Sequence, residues 1–194
     1  QKVKSFGIPF DPKFARIQDE PSLMNKYKLK PGIPTILVMG GGQGLGPIKT
    51  IVKSLEKVRP EIQEIIVTGT NKKLYKALKR RIKKYKKRIL LFGYAHHINE
   101  LMNLADIVIS KPGGVTTSEV LAMGKPMIIV KPLPGQEANN TRYLTEKGAA
   151  IKVDRPKEIN LVVEELIGNA HKLNQIKDAV KKIAKPSASI DIAR

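Results

Sequence analysis

The chain has 194 residues, 36 of them Lys or Arg and 17 Asp or Glu, for a formal net charge of +19. That length suits one domain or at most two, and a 41% hydrophobic fraction can bury a core, which excludes a disordered basic tail. The absence of cysteine excludes a disulfide scaffold, a thiol nucleophile and a cysteine metal site. The longest apolar run, residues 89–95, is far short of the roughly 20 residues that cross a bilayer. No signal peptide opens the sequence, and its first residue is Gln1 rather than methionine. The chain is therefore expected to continue from something N-terminal to it.

Residues 1–33 are irregular apart from a short helix near 22–27, and read as a lead-in. Regular alternation starts at residue 34. The spacing predicts strands at 35–39, 65–68, 89–92, 107–110, 126–130 and 149–153. Helices are expected at 47–58, across a basic stretch from residue 72, and at 98–104, 113–123, 137–147, 157–168 and 172–184. Pro47 suits a first helical position, and Gly148 suits a helix end. Strand and helix thus alternate six times. This predicts an α/β fold, a Rossmann-like parallel sheet of about six strands with helices on both faces.

The positive charge is concentrated. Residues 72–88 hold 11 basic side chains and no acid. Leu74, Leu78, Ile82 and Tyr85 recur there at helical spacing, so the stretch reads as an amphipathic helix. Its outer face is either solvated or rests on anionic lipid, with Lys79, Arg80, Lys83, Lys84 and Lys87 as the contacts. Nucleic acid is not expected, because aromatic residues are 5% of the chain and the run has little to stack on bases.

Ligands in such sheets sit beyond the carboxyl ends of strands, so the loops there carry the information. The first is Gly40-Gly41-Gly42-Gln43-Gly44-Leu45-Gly46. Five glycines let backbone N–H groups approach an anion, and a helix starts just after them. The loop reads as a phosphate cradle. It does not fit the dinucleotide fingerprint, since no start places glycines at i, i+2 and i+5. Pro47 stands where a P-loop needs lysine. The second loop, from Ser110 to Glu119, ends a strand and opens a helix with Gly113, Gly114, Thr116 and Thr117, a second anion site. Glu119 could accept two hydrogen bonds from a ribose diol or simply complement the helix dipole. In the third loop Gln136, Glu137 and Asn140 offer the donors and acceptors a sugar needs, or else a cap.

Together these loops carry a resemblance. KPGG-x-T-x-SE, PGQEAN and GGGQGLG resemble the nucleotide-sugar half of a GT-B glycosyltransferase. The resemblance is closest to the family of monogalactosyldiacylglycerol synthase and the bacterial processive diacylglycerol glucosyltransferases. The peptidoglycan N-acetylglucosaminyltransferase is a more distant relative. The similarity spans residues 33–153, and GIPFDPKF resembles the interdomain connector of that family. It implies a connector over residues 1–33, a nucleotide-sugar-binding domain over 34–194, and an N-terminal acceptor domain absent from this chain.

By the same resemblance the chain binds UDP-hexose. The diphosphate would lie against Gly42, Gly44, Gly114, Thr116 and Thr117. Glu119 would hold the ribose, Gly93, Tyr94 and Ala95 the uracil, and Gln136 and Glu137 the hexose. A glutamine pair replaces Gln136-Glu137 in the peptidoglycan relative, which favours a lipid acceptor. The implied reaction inverts the anomeric centre as glucose or galactose passes to diacylglycerol. The implied place is the cytoplasmic face of a membrane, peripherally bound. No cofactor or metal is expected, and the catalytic base belongs to the absent domain. His96, His97 and His171 read as bystanders. The competing readings are a peptidoglycan-type donor domain, a non-catalytic UDP-sugar-binding module, a nucleotide-sugar epimerase and a basic nucleic-acid protein.

Overall fold

The computed structural model describes residues 5–16 and 18–193. The first four residues of the expected connector lie outside them.

Six strands form one parallel sheet. They are β1 (Thr35–Met39), β2 (Gln63–Val67), β3 (Arg88–Phe92), β4 (Ile107–Ser110), β5 (Met127–Val130) and β6 (Ala150–Val153), in the spatial order β3-β2-β1-β4-β5-β6. Every neighbouring pair is parallel. The sequence order reverses between β1 and β4, and that switch point opens a crevice at the strand ends. β1, β4 and β5 are buried along their whole length, as apolar runs covered on both faces should be.

The helices are α1 (Glu20–Tyr27), α2 (Ile48–Leu55), α3 (Lys72–Arg81), α4 (Ile98–Asn103), α5 (Gly114–Ala122), α6 (Gln136–Glu146), α7 (Ile159–Gly168), α8 (Ala170–Ile183) and α9 (Ala188–Ala193). Right-handed crossovers put α2 and α3 on one face of the sheet and α4, α5 and α6 on the other. α7 packs against α2, and α8 against α5. The core is aliphatic: Ile36, Leu37, Ile65, Ile66, Ile107 and Ile128 are all fully buried.

Four differences from the sequence expectation have physical reasons. β2 starts at Gln63 rather than residue 65 because both polar residues there are buried. The Gln63 amide bonds the carbonyls of Lys30 and Ile33 and the hydroxyl of Thr35. The basic helix stops at Arg81, and a 3-10 turn covers Ile82–Lys84. β3 must begin at Arg88 to pair with Gln63, so the intervening residues turn the chain back. α2 starts one residue after Pro47, which is its N-cap. Finally, α9 lies beyond the last expected helix. It packs Ala188 into the core, and Ser189 is hydrogen-bonded to both backbone groups of Phe10. The two ends of the chain are thereby joined.

Candidate functional site

The loop after β1 is held in place by glycine geometry. Gly44 has φ +61°, and a Cβ there would lie 1.9 Å from the Thr68 carbonyl oxygen. Gly69 has φ +56°, and a Cβ there would meet the Gly42 carbonyl oxygen at 2.2 Å. The Thr70 N–H donates to that same oxygen at 2.9 Å. These glycines seat the loop on the end of β2. Gly42 differs: nothing stands within 4 Å of a Cβ built on it.

Two adjoining hollows lie over the switch point. One of about 300 Å³ is lined by Met39, Gly69, Tyr94, Ala95, Ile98 and Glu119, among others. A second of about 190 Å³ is lined by Gly40, Gln43, Lys111, Gly113 and Glu137. Gly41, Gly42 and Thr116 line both, so the two form one cleft. Its middle is the N-terminus of α5, which has no side-chain cap, so the first N–H groups of the helix stay available.

A carboxylate stands at each end. Burial pushes the Glu119 carboxyl up to about 7, opposed by the Lys13 ammonium and assisted by Asp11. Glu137 accepts from the Leu133 N–H at 2.7 Å and pairs with the Lys111 ammonium at 3.0 Å. Both partners of that ion pair are largely buried.

Of the residues singled out in the sequence, Gly42, Thr116, Glu119, Tyr94, Ala95 and Glu137 line this cleft. The others do not. Gly44 is buried and lines the outer flank of its loop. Gly93 lies behind Gly69. Thr117 is turned about 100° around α5 from Thr116. It is buried in a neighbouring hollow with Gly114. Gln136 lies over Gly114, its amide nitrogen 3.2 Å from where a Cβ would be. The sequence reading assigns no role to Lys111 or Gly69. The signal for Lys111 is its place directly after β4, at the switch point.

His96 rests edge-on against Tyr94 with ring centroids 5.1 Å apart, and His97 Nδ1 is 3.8 Å from Glu100. Among the basic residues, Lys79, Arg80, Lys83 and Lys84 are exposed. The Lys87 ammonium instead donates to the carbonyls of Val58 at 2.6 Å and Pro60 at 3.2 Å. Among the described residues no three His, Asp or Glu side chains cluster as a metal site needs. No described helix is long and apolar enough to cross a membrane.

The glycosyltransferase family 28 C-terminal domain matches residues 35–191. The chain belongs to that family. The family 28 domain is 36% identical over 182 residues to a processive diacylglycerol beta-glucosyltransferase of Bacillus licheniformis, covering 93% of this chain and 47% of the relative. It thus spans about half the length of the curated relatives it matches. Many solved structures share its fold. MurG of Acinetobacter baumannii matches with TM-score 0.73 at 18% identity, over 92% of this chain and 53% of that one. HepE of Anabaena, solved in complex with UDP-glucose, matches with TM-score 0.72 at 18% identity, over 95% and 54%. The expected Rossmann-like half of a GT-B glycosyltransferase is therefore the fold observed.

Proposed function

We propose that the cleft binds UDP-hexose, and that this domain is the donor half of an inverting hexosyltransferase acting on diacylglycerol. The observation that carries the reading is the continuity of the cleft, with one carboxylate at each end and an uncapped helix N-terminus between them. Tyr94 and Ala95 are assigned to the uracil and Glu119 to the ribose diol. Gly42, Thr116 and the first N–H groups of α5 face the diphosphate, and Glu137 the hexose hydroxyls. Gln136 and Gly114 border the hexose end, while Gly44 and Thr117 support the loop and helix from behind.

The chemistry follows from this placement. Displacement of UDP from the anomeric carbon builds negative charge on the departing diphosphate. The α5 N–H groups and the Lys111 ammonium are fixed before that charge appears, so they stabilise it without reorganising. The base that takes the acceptor proton is assigned to an N-terminal domain outside this chain. The diacylglycerol glucosyltransferase relatives favour glucose as the hexose. They also support a peripheral membrane site, with the exposed Arg80, Lys83 and Lys84 turned to anionic lipid.

Calorimetric titration with UDP, ADP and UDP-glucose tests the reading, alongside a thermal melt that establishes folding. Uridine-selective binding is expected, reduced at least about tenfold in Glu119→Ala. A folded chain that does not distinguish UDP from ADP would refute it.

A further inference from the structure

A second groove runs between α2 and α3, and its lining is cationic. Lys49, Lys53 and Lys57 stand four residues apart, in one stripe along and beyond α2. Lys73 and Arg81 face it from α3, and Lys157 closes one end. The two parts of the groove enclose about 420 and 370 Å³ and share Lys49 and Thr50. No lining residue is acidic.

All six cations are exposed. Among the described residues none of them is in an ion pair. Six like charges gathered without a counter-charge repel one another, and a bound anion relieves that repulsion. The groove shares no residue with the cleft at the switch point. Folding of the sheet does not require these charges, because the buried side of α2 is apolar: Ile48, Ile51, Val52 and Leu55.

We propose that this groove takes the phosphate groups of anionic phospholipids and so holds the domain on an anionic bilayer. The proposal rests on the membrane-surface reading above, but gives the main contact to the groove rather than to the outer face of α3. Lipid is favoured over nucleic acid by the lining itself, which has no aromatic ring to stack a base. Flexible four-carbon lysine stems around an open trough suit separate headgroup phosphates.

The test is flotation of the chain with phosphatidylcholine vesicles, with and without phosphatidylglycerol, at one salt concentration. Two triple variants carry the same loss of charge. Lys49→Gln with Lys53→Gln and Lys57→Gln removes the stripe along α2, half of the six groove cations. Arg80→Gln with Lys83→Gln and Lys84→Gln removes three cations from the outer face on and just beyond α3. Each cation near an anionic surface raises partitioning about fivefold, so the groove variant should lose about 100-fold. The outer-face variant should lose under about tenfold, because its charges stand farther from the bound phosphates. Equal losses would reduce the effect to net charge and overturn the proposal. So would tighter binding to an oligonucleotide than to anionic vesicles, or no binding of the unaltered chain to those vesicles. All three chains are also titrated with UDP. If groove-dependent vesicle binding occurs without UDP binding, the donor reading falls while the groove proposal stands. If UDP binds and vesicles do not, the groove proposal falls and the donor reading stands.

Discussion

The glycines of the first loop divide by what surrounds them. Gly44→Ala would place a Cβ against the Thr68 carbonyl in a left-handed backbone. It should destabilise the fold by at least about 2 kcal/mol. Gly42→Ala meets open space and should melt like the parent. It should nevertheless weaken UDP, because the new methyl stands where the proposed diphosphate approaches. Melts and UDP titrations of both variants separate support from contact. Lys111 makes a different case. It pairs with Glu137 within the same hollow, and its loss leaves a largely buried carboxylate with only the Leu133 N–H. Lys111→Met should weaken UDP-glucose by about tenfold or more, and UDP by less. Equal losses would place Lys111 on the diphosphate alone. Glu119 gives the site a pH dependence. Burial raises its pKa to about 7, and a ribose diol needs the ionised form as acceptor. UDP affinity should therefore fall as pH drops below about 7, by up to about tenfold per unit. Glu119→Gln should bind more weakly and flatten that profile.

Elements were legible where one local pattern decided them. β1, β4 and β5 are short β-branched runs between turns, and their burial on both faces is what such runs demand. Gly148 ends α6 with φ +68°, and Ala149 N–H reaches back to the Leu144 carbonyl at 2.9 Å. Other features depended on distant partners. Gln63 and Glu64 hide the start of β2, since polar residues enter a sheet only when tertiary structure buries them. The length of α3 was set by the register of β3 and not by its own periodicity. The site divides in the same way. Glu137 stands out because it lies in the first turn of the helix after β5, and Glu119 because it lies within the short helix that follows β4. The Lys111–Glu137 pair joins two loops and has no local signature. The start of α3 offers a test at this scale. Asn71 Oδ1 accepts from the Leu74 N–H at 2.9 Å, a side-chain N-cap. Asn71→Ala should cost about 1 kcal/mol in a denaturant melt.

For the whole molecule, a strong electrostatic demand lies away from the cleft. Glu64 on β2 is fully buried, and neither carboxyl oxygen has a hydrogen-bond partner within the protein. Burial pushes its pKa up to about 8, with help from the Glu56 carboxylate and opposition from the Lys87 ammonium. Lys87 cannot fully compensate, because its ammonium is taken by the carbonyls of Val58 and Pro60. Glu56 is itself partly committed to the Lys86 N–H. Between the ordinary carboxylate pKa of 4.5 and about 8, the folded chain keeps a proton that the unfolded chain has released. Stability must then fall as pH rises through that window, by at most about 1.4 kcal/mol per unit from this group. Glu119 adds a slope of the same sign up to about 7. Asp11, Glu100, Asp154 and Glu164 have lowered values, so they add stability that is lost only as pH falls below the ordinary carboxylate range. Glu64→Gln removes the main slope while keeping the side-chain shape. Its melting temperature should change little with pH between about 7 and 8, keep only the Glu119 slope below that, and exceed that of the parent at the alkaline end. Adding Glu119→Gln should remove what slope remains. Parallel melting curves for parent and Glu64→Gln would mean that Glu64 is ionised in the folded chain, held by a charge compensation stronger than Lys87 provides in this arrangement.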